Sequence, residues 1–421
     1  MEKTLYDNYV TILKNELLPA LGCTEPTAIA YAAALARKTL NKLPDRAEIF
    51  VSGNILKNVK SVVVPGTAGL RGISVAVCAG IVAGDSDLKL EVLSPVDDKA
   101  REEIKAYCAK TKITVAQAQS KCIFDIGVRV FAGKDTAYVR ITGHHTNVVK
   151  IELNDEVLLD NETTEEDCCA YCGLSVEKII EFANEVNLDD VKEIIERQIT
   201  YNTAIAEEGL QKDYGARIGK VLLSSFGNDV HNLAKAMAAA GSDARMNGCD
   251  MPVVIVSGSG NQGITTSLPV IVYAKHLNAS HEKLLRALVL ANLVTIHLKS
   301  GIGRLSAFCG AVSAGCGAGA GVCYLYGGGY DEIAHTIVNA LAIDAGIVCD
   351  GAKSSCAAKI ASAVEAGLMG MEMYRNGSEF YGGDGILERG VENTIVNIGD
   401  LARVGMRETD EEIIRLMIKN I

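Results

Sequence analysis

LSAFCGAVSAGCGAGAGVCYLY, residues 305–326, decides what kind of protein this is. It runs without a charge for long enough to cross a bilayer, which takes about 20 apolar residues. Its residues are small rather than Leu- or Ile-rich, and it stands nearly alone in the chain. Gly and Ala at this density let helix backbones approach closely. The stretch therefore predicts a buried, tightly packed helix in a helical core and not a membrane span.

The rest of the composition agrees with such a core. The chain has 421 residues, enough for two or three domains. Aromatic residues make up 5%, Trp is absent and Gly reaches 41 residues, so packing relies on small side chains. The net charge is −11, and no basic stripe with interleaved aromatics is present, which argues against nucleic acid as a partner. MEKTLYDNYV lacks the basic-then-apolar order of a signal peptide. That predicts a cytoplasmic location, where the thirteen cysteines stay reduced and serve metal or catalytic chemistry rather than disulfides.

Upstream, residues 4–42 read as two helices broken at GCTEP, with Pro26 in the first turn of the second helix, Thr24 as its cap and Cys23 beside its N-terminus. Residues 46–160 change to short β-branched segments: AEIFVSG, SVVVPG, KLEVLS, TVAQAQS, IFDIGVRVFAG, TAYVRITG, TNVVKIEL and EVLLD, with helical patches at GISVAVCAGIVAG and DDKAREEIKAYCAK. From VEKIIEFANEV onward the pattern is helical, interrupted by Gly-rich breaks. The expected fold is α+β. A mainly helical catalytic domain is built from N-terminal helices (1–45) and the C-terminal part (161–421), with a smaller α/β domain inserted at 46–160.

The cysteines sort by spacing. Cys309, Cys316 and Cys323 fall every seven residues on one helix face, about 10.5 Å apart at ~1.5 Å rise per residue. One straight helix can therefore offer one of them to a compact site, and Cys316 and Cys323 read as small core residues. Cys349 and Cys356 flank a turn in CDGAKSSC, so their sulfurs can converge. Three converging thiolates are one short of the usual four of a structural zinc or electron-transfer iron–sulfur site, and leave a metal position open. Cys168, Cys169 and Cys172 in CCAYC are weakly suggestive of metal, with no matching pair nearby.

Polar clusters suggest where a substrate would sit. SGSGNQG, residues 257–263, offers hydroxyls and free backbone N–H groups suited to a carboxylate, with Ser257, Ser259 and Asn261 as contacts. Asn54 and Asn58 in SGNILKN, and His145, Thr146 and Asn147 in HHTNVV, place polar groups on the α/β insertion. Asp350 and Lys353 lie between two cysteines, as cluster-tuning or substrate-holding groups or as a plain loop salt bridge.

The stretches LGCTEPTAIA, SGNILKNV with VPGT, GHHTNVV, AIAEEGLQKDYG, GSDARMNGCDMPV, SGSGNQGITTSLPV, HLKSGIGRLSAFCGA and CDGAKSSCAAK, spread over residues 21–359, resemble the L-cysteine desulfidases, relatives of the iron–sulfur-dependent bacterial L-serine dehydratases. The resemblance implies an oxygen-sensitive lyase with a 4Fe–4S cluster held by three cysteines, one iron remaining open. Ligand spacings of forty and then seven residues match Cys309, Cys349 and Cys356. The lone N-terminal cysteine that serves as base matches Cys23. Thr24, Asn54, His145, Asn147, Ser257, Ser259, Asn261 and Lys353 are the expected substrate contacts. The implied substrate is L-cysteine, in an oxygen-poor cytoplasm, with a homodimer allowed and neither nucleic acid nor membrane expected. The competing readings are an iron–sulfur L-serine dehydratase, an electron-transfer or redox-sensing iron–sulfur protein, and a zinc-stabilised binding protein. For the thiol of Cys23, the adjoining helix N-terminus predicts a lowered pKa.

Overall fold

The computed structural model describes residues 1–120, 122–161, 171, 173–303 and 305–418. The fold is α+β, as the sequence predicts. Its sheet has six strands: β2 (Arg46–Val51), β3 (Lys112–Gln117), β4 (Asp125–Ala132), β5 (Asp135–Thr142), β6 (Val148–Leu153) and β7 (Glu156–Asp160), in the order β3-β2-β4-β5-β6-β7. Only β2 and β3 run parallel. Alternation of apolar and polar residues assigns one face to the core. Ile49, Val128 and Val139 sit side by side across β2, β4 and β5 and are fully buried. The helices α2 (Thr24–Leu40), α4 (Ile73–Ala83) and α5 (Asp98–Lys110) complete this unit.

Two segments read as strands are not. SVVVPG and KLEVLS form turns, with Val63 making only an isolated bridge to Arg71 and residues Ser86–Glu91 a 3-10 turn. Their apolar residues Val62, Val64, Val92 and Leu93 are buried as loop anchors, so hydrophobicity there reports burial and not pairing. SGNILKN folds as the helix α3 (Gly53–Val59), whose N-cap Ser52 accepts a hydrogen bond from the Ile55 amide. The helix α2 buries Ala28, Ala32, Ala33 and Ala36 in the sheet's core, not in that of the C-terminal helices. Alanines on α2 and glycines on α4 allow this: a Cβ on Gly80 would stand 2.2 Å from the Ala30 carbonyl oxygen.

The second core gathers α1 (Lys3–Glu16), α6 (Val176–Glu185), α7 (Lys192–Gln211), α9 (Val230–Met246), α10 (Gly260–His276), α11 (His281–Ile302), α12 (Gly310–Leu325), α13 (Tyr330–Asp344), α14 (Cys356–Arg375) and α15 (Val391–Asp400). The last helices are α8 (Ile218–Phe226), beside α9, and α16 (Arg407–Ile418), beside α3. Strand β1 (Pro19–Leu21) pairs with β8 (Pro252–Val254) and ties the start of α2 to the segment before α10. The diagnostic stretch becomes α12, buried at every position from Ala311 to Leu325. Among the described residues one helix, α11, is long and apolar enough to cross a membrane, and 78% of its apolar window is buried inside the protein. Cys168, Cys169 and Cys172 lie outside the described residues.

The small-residue stripe has a geometric use. A Cβ on Gly315 would lie 2.1 Å from the Ala363 carbonyl oxygen, and one on Gly367 would lie 2.1 Å from that of Gly315. Helices α12 and α14 thus touch backbone to backbone, which brings Cys309 and Cys356, at their N-terminal ends, to one place. Gly367→Val is expected to cost at least about 3 kcal/mol, since the obstacle is backbone and cannot rotate away. Urea unfolding monitored by circular dichroism checks it.

Candidate active site

Four helix N-termini converge on one cavity of about 110 Å³. Cys23 is the N-cap of α2, Ser259 that of α10 and Cys309 that of α12, while Cys356 is the first residue of α14. Their helix dipoles make the space electropositive. Two loops close the arrangement. A bridge between Phe308 and Val348, with the Cys349 amide donating to the Ala307 carbonyl at 2.6 Å and that of Cys309 to Ile347 at 3.0 Å, sets Cys309 beside Cys349. Gly351, at φ +93°, then turns the chain toward Cys356; a Cβ there would stand 2.5 Å from the Lys57 carbonyl oxygen.

The thiols are free and differ in character. All ten described cysteines are unpaired as disulfides. Cys309 and Cys349 share a hydrogen bond, which together with burial holds the Cys309 thiol well above its ordinary range. The same bond, with help from Lys57 and Lys299, pushes Cys349 down to about 5. Burial raises Cys356. Cys316 and Cys323 point into the helical core, 1% and 2% exposed, and away from this cavity. Among the described residues, no three or more His, Cys, Asp or Glu side chains close around a single metal ion.

Cys23 departs from expectation. Its thiol is raised well above the usual range, chiefly by burial and then by the Glu25 carboxylate, with Arg245 opposing. The helix terminus does not lower it, because desolvation of a thiolate outweighs the dipole. The thiol donates to Glu25 Oε2 at 3.2 Å, Thr24 Oγ1 donates to the same oxygen at 3.1 Å, and Asn58 Nδ2 donates to Glu25 Oε1 at 2.9 Å.

Of the expected site residues, Cys23, Cys309, Cys349, Cys356, His145, Ser257, Ser259 and Asn261 all line the cavity. The His145 ring stacks edge-on to Phe124 at 4.7 Å, under the sheet's end. Thr24 stands behind Cys23, its one hydroxyl proton shared between Glu25 Oε2 and the Gly258 carbonyl, the latter at 3.0 Å. Three others are not among the lining residues. Asn147 is used in the β5–β6 turn, where its Nδ2 donates to the Thr142 carbonyl at 3.0 Å. Lys353 is tied back to Asp350, the loop salt bridge of the simpler reading. Asn54, on α3, is absent from the cavity wall, although Lys57 and Asn58, three and four residues further along the same helix, line it.

A family model described as the serine dehydratase alpha chain matches residues 87–415. The chain belongs to the serine dehydratase alpha chain family. Its relatives span the same length. A UPF0597 protein of Desulfitobacterium hafniense (strain Y51) is 57% identical over 416 residues, covering 98% of this chain and 97% of its own. A UPF0597 protein of Lachnoclostridium phytofermentans is 50% identical over 418 residues, covering 98% and 100%. One of Finegoldia magna is 48% identical over 418 residues, covering 98% and 99%.

Within this serine dehydratase alpha chain protein, several lining residues escaped sequence reading. Glu25, Arg245, Gln262, Lys57, Lys299 and Lys359 all face the cavity. Their signal was present: a charged residue inside an alanine-rich helix, as Arg245 in AAAGSDARM, must be buried with a purpose. Lys57 is held by an ion pair to Asp410 at 2.5 Å, made by α16 lying across α3.

Proposed function

We propose that the protein is an L-cysteine desulfidase, converting L-cysteine and water to pyruvate, ammonia and hydrogen sulfide. The observation that carries the reading is that Cys23, Cys309, Cys349 and Cys356 open on one cavity. The donor set fits a 4Fe–4S cluster. Three free thiols from two helix ends and a loop line one cavity, and Lys57, Lys299 and Lys359 add cations beside them. Cys309, Cys349 and Cys356 would hold it, and its open iron would supply a Lewis acid for the departing sulfur.

The chain's own groups do the rest. Elimination needs the Cα proton removed as the Cβ–S bond breaks. Cys23 and Glu25 form the base unit. As Cys23 passes its proton to Glu25 Oε2, its sulfur accepts the one from Cα. Thr24 and Asn58 fix the carboxylate for this exchange. The remaining carbon skeleton is 2-aminoacrylate, which tautomerises and hydrolyses to pyruvate and ammonia in water. Burial of Cys23 keeps water from competing for the base.

The test is anaerobic release of sulfide and pyruvate from L-cysteine by cluster-reconstituted protein, with L-serine in parallel. Equal yields from L-cysteine uphold the reading. Turnover of L-serine alone replaces it with the dehydratase, and turnover of neither removes lyase chemistry for both. Glu25→Gln separates the base unit's parts. Since Glu25 helps raise Cys23, iodoacetamide is expected to alkylate Cys23 faster in the variant, with its pH midpoint lower than in wild type, while turnover drops by about 10²-fold. Peptide mass spectrometry across pH 7–10 reads the first effect.

A further inference from the structure

Among the described residues, Arg245 is a buried cation without an acidic partner. It is 4% exposed, on the last turn of α9, and lines the cavity. Its guanidinium donates to Asn261 Oδ1 at 3.0 Å and lies against Met246 Sδ at 3.9 Å, and its Nε has no partner. Among the described residues the one carboxylate lining the cavity, Glu25, has its oxygens taken by Cys23, Thr24 and Asn58. An uncompensated buried charge costs several kcal/mol, so the guanidinium is suited to an anionic partner in the cavity.

Two residues of the same lining carry complementary acceptors. Gln262 Oε1 and Asn58 Oδ1 are buried acceptors without donors, on residues 5% and 6% exposed. For Asn58 the assignment of oxygen and nitrogen is set by its amide donating to Glu25. One free cationic donor and two free neutral acceptors within one small cavity match a molecule with a carboxylate and an ammonium on neighbouring atoms. We infer that Arg245 binds the carboxylate, and Gln262 with Asn58 the ammonium, of an α-amino acid zwitterion. This rests on the proposed function for the identity of the amino acid, not for its class. A guanidinium presents paired donors to a carboxylate, and the N–H groups at the start of α10 lie beside it.

Calorimetry with L-alanine, propionate and ethylamine tests this on the full-length anaerobic protein, none of the three having a leaving group. L-Alanine is expected to bind tightest. Arg245→Met is expected to weaken L-alanine and propionate roughly 10- to 100-fold without lowering the melting temperature of the ligand-free protein. Gln262→Leu is expected to weaken L-alanine and leave propionate unchanged. Wild-type affinity for both carboxylates in Arg245→Met overturns the inference, and so does wild-type protein that binds ethylamine as well as L-alanine. The latter comparison decides if the variant fails to fold. L-Alanine binding that depends on Arg245 in a protein inert toward L-cysteine keeps this site and removes the desulfidase. An unchanged KM for L-cysteine in Arg245→Met does the reverse.

Discussion

Alanine at Cys309, Cys349 or Cys356 is expected to strip the protein of its iron. In the proposed site each would supply one of three ligands, so its loss should weaken cluster retention beyond the ~10–100-fold typical of outer-shell changes. Iron and acid-labile sulfide content after anaerobic desalting, with the visible absorbance of the cluster, measures it. Cys316→Ala and Cys323→Ala are the controls. Both thiols lie in the helical core, so these variants should keep their iron and lose only about 1 kcal/mol of stability to the smaller side chain. Iron retained in Cys356→Ala but lost in Cys316→Ala would reverse the ligand assignment. The contrast is informative because spacing treats Cys349/Cys356 and Cys309/Cys316 alike, both seven apart.

Cys23→Ala is expected to keep the cluster and lose turnover by about 10²- to 10⁴-fold, the usual worth of a positioned proton acceptor. The substitution removes the sulfur that the proposed mechanism places between the substrate Cα and Glu25 without touching the proposed ligands, so iron content should match wild type while pyruvate release falls. Activity within a few-fold of wild type would move the base role to another group on the cavity, and Glu25 and His145 are the candidates by position. Cys23→Ser is the finer probe. A hydroxyl can still donate to Glu25 but is far harder to deprotonate, so activity should stay low even though the hydrogen bond persists.

The sequence carried the architecture well where periodicity was long or alternation strict. The strands β4, β5 and β6 and the helices α4 and α5 lie where pattern reading places them, because each must bury one face. It misled where a short apolar run could be either strand or anchored loop. SVVVPG and KLEVLS have strand composition, yet Pro65–Gly66 and the turn at Lys89 leave them no partner to pair with. The site divides in the same way. SGSGNQG, expected as a ligand loop because Gly and Ser signal free backbone groups locally, does line the cavity. Lys353 and Asn147 looked equally polar, but their hydrogen bonds close within their own turns.

What the sequence determined by itself was the chemistry available: reduced thiols at chosen spacings, a close-packed small-residue core and a break at GCTEP that ends in a helix start. Which of those groups meet was settled in three dimensions. Backbone contact between α12 and α14 sets Cys309 and Cys356 at neighbouring helix ends, and pairing of β1 with β8 joins the start of α2 to the loop before α10. The thiol of Cys23 shows the consequence. Local sequence placed it at a helix N-terminus, which lowers a pKa. Folding buried it against Glu25, brought there with it by the same turn, and desolvation, which depends on everything packed around the group, decided the sign.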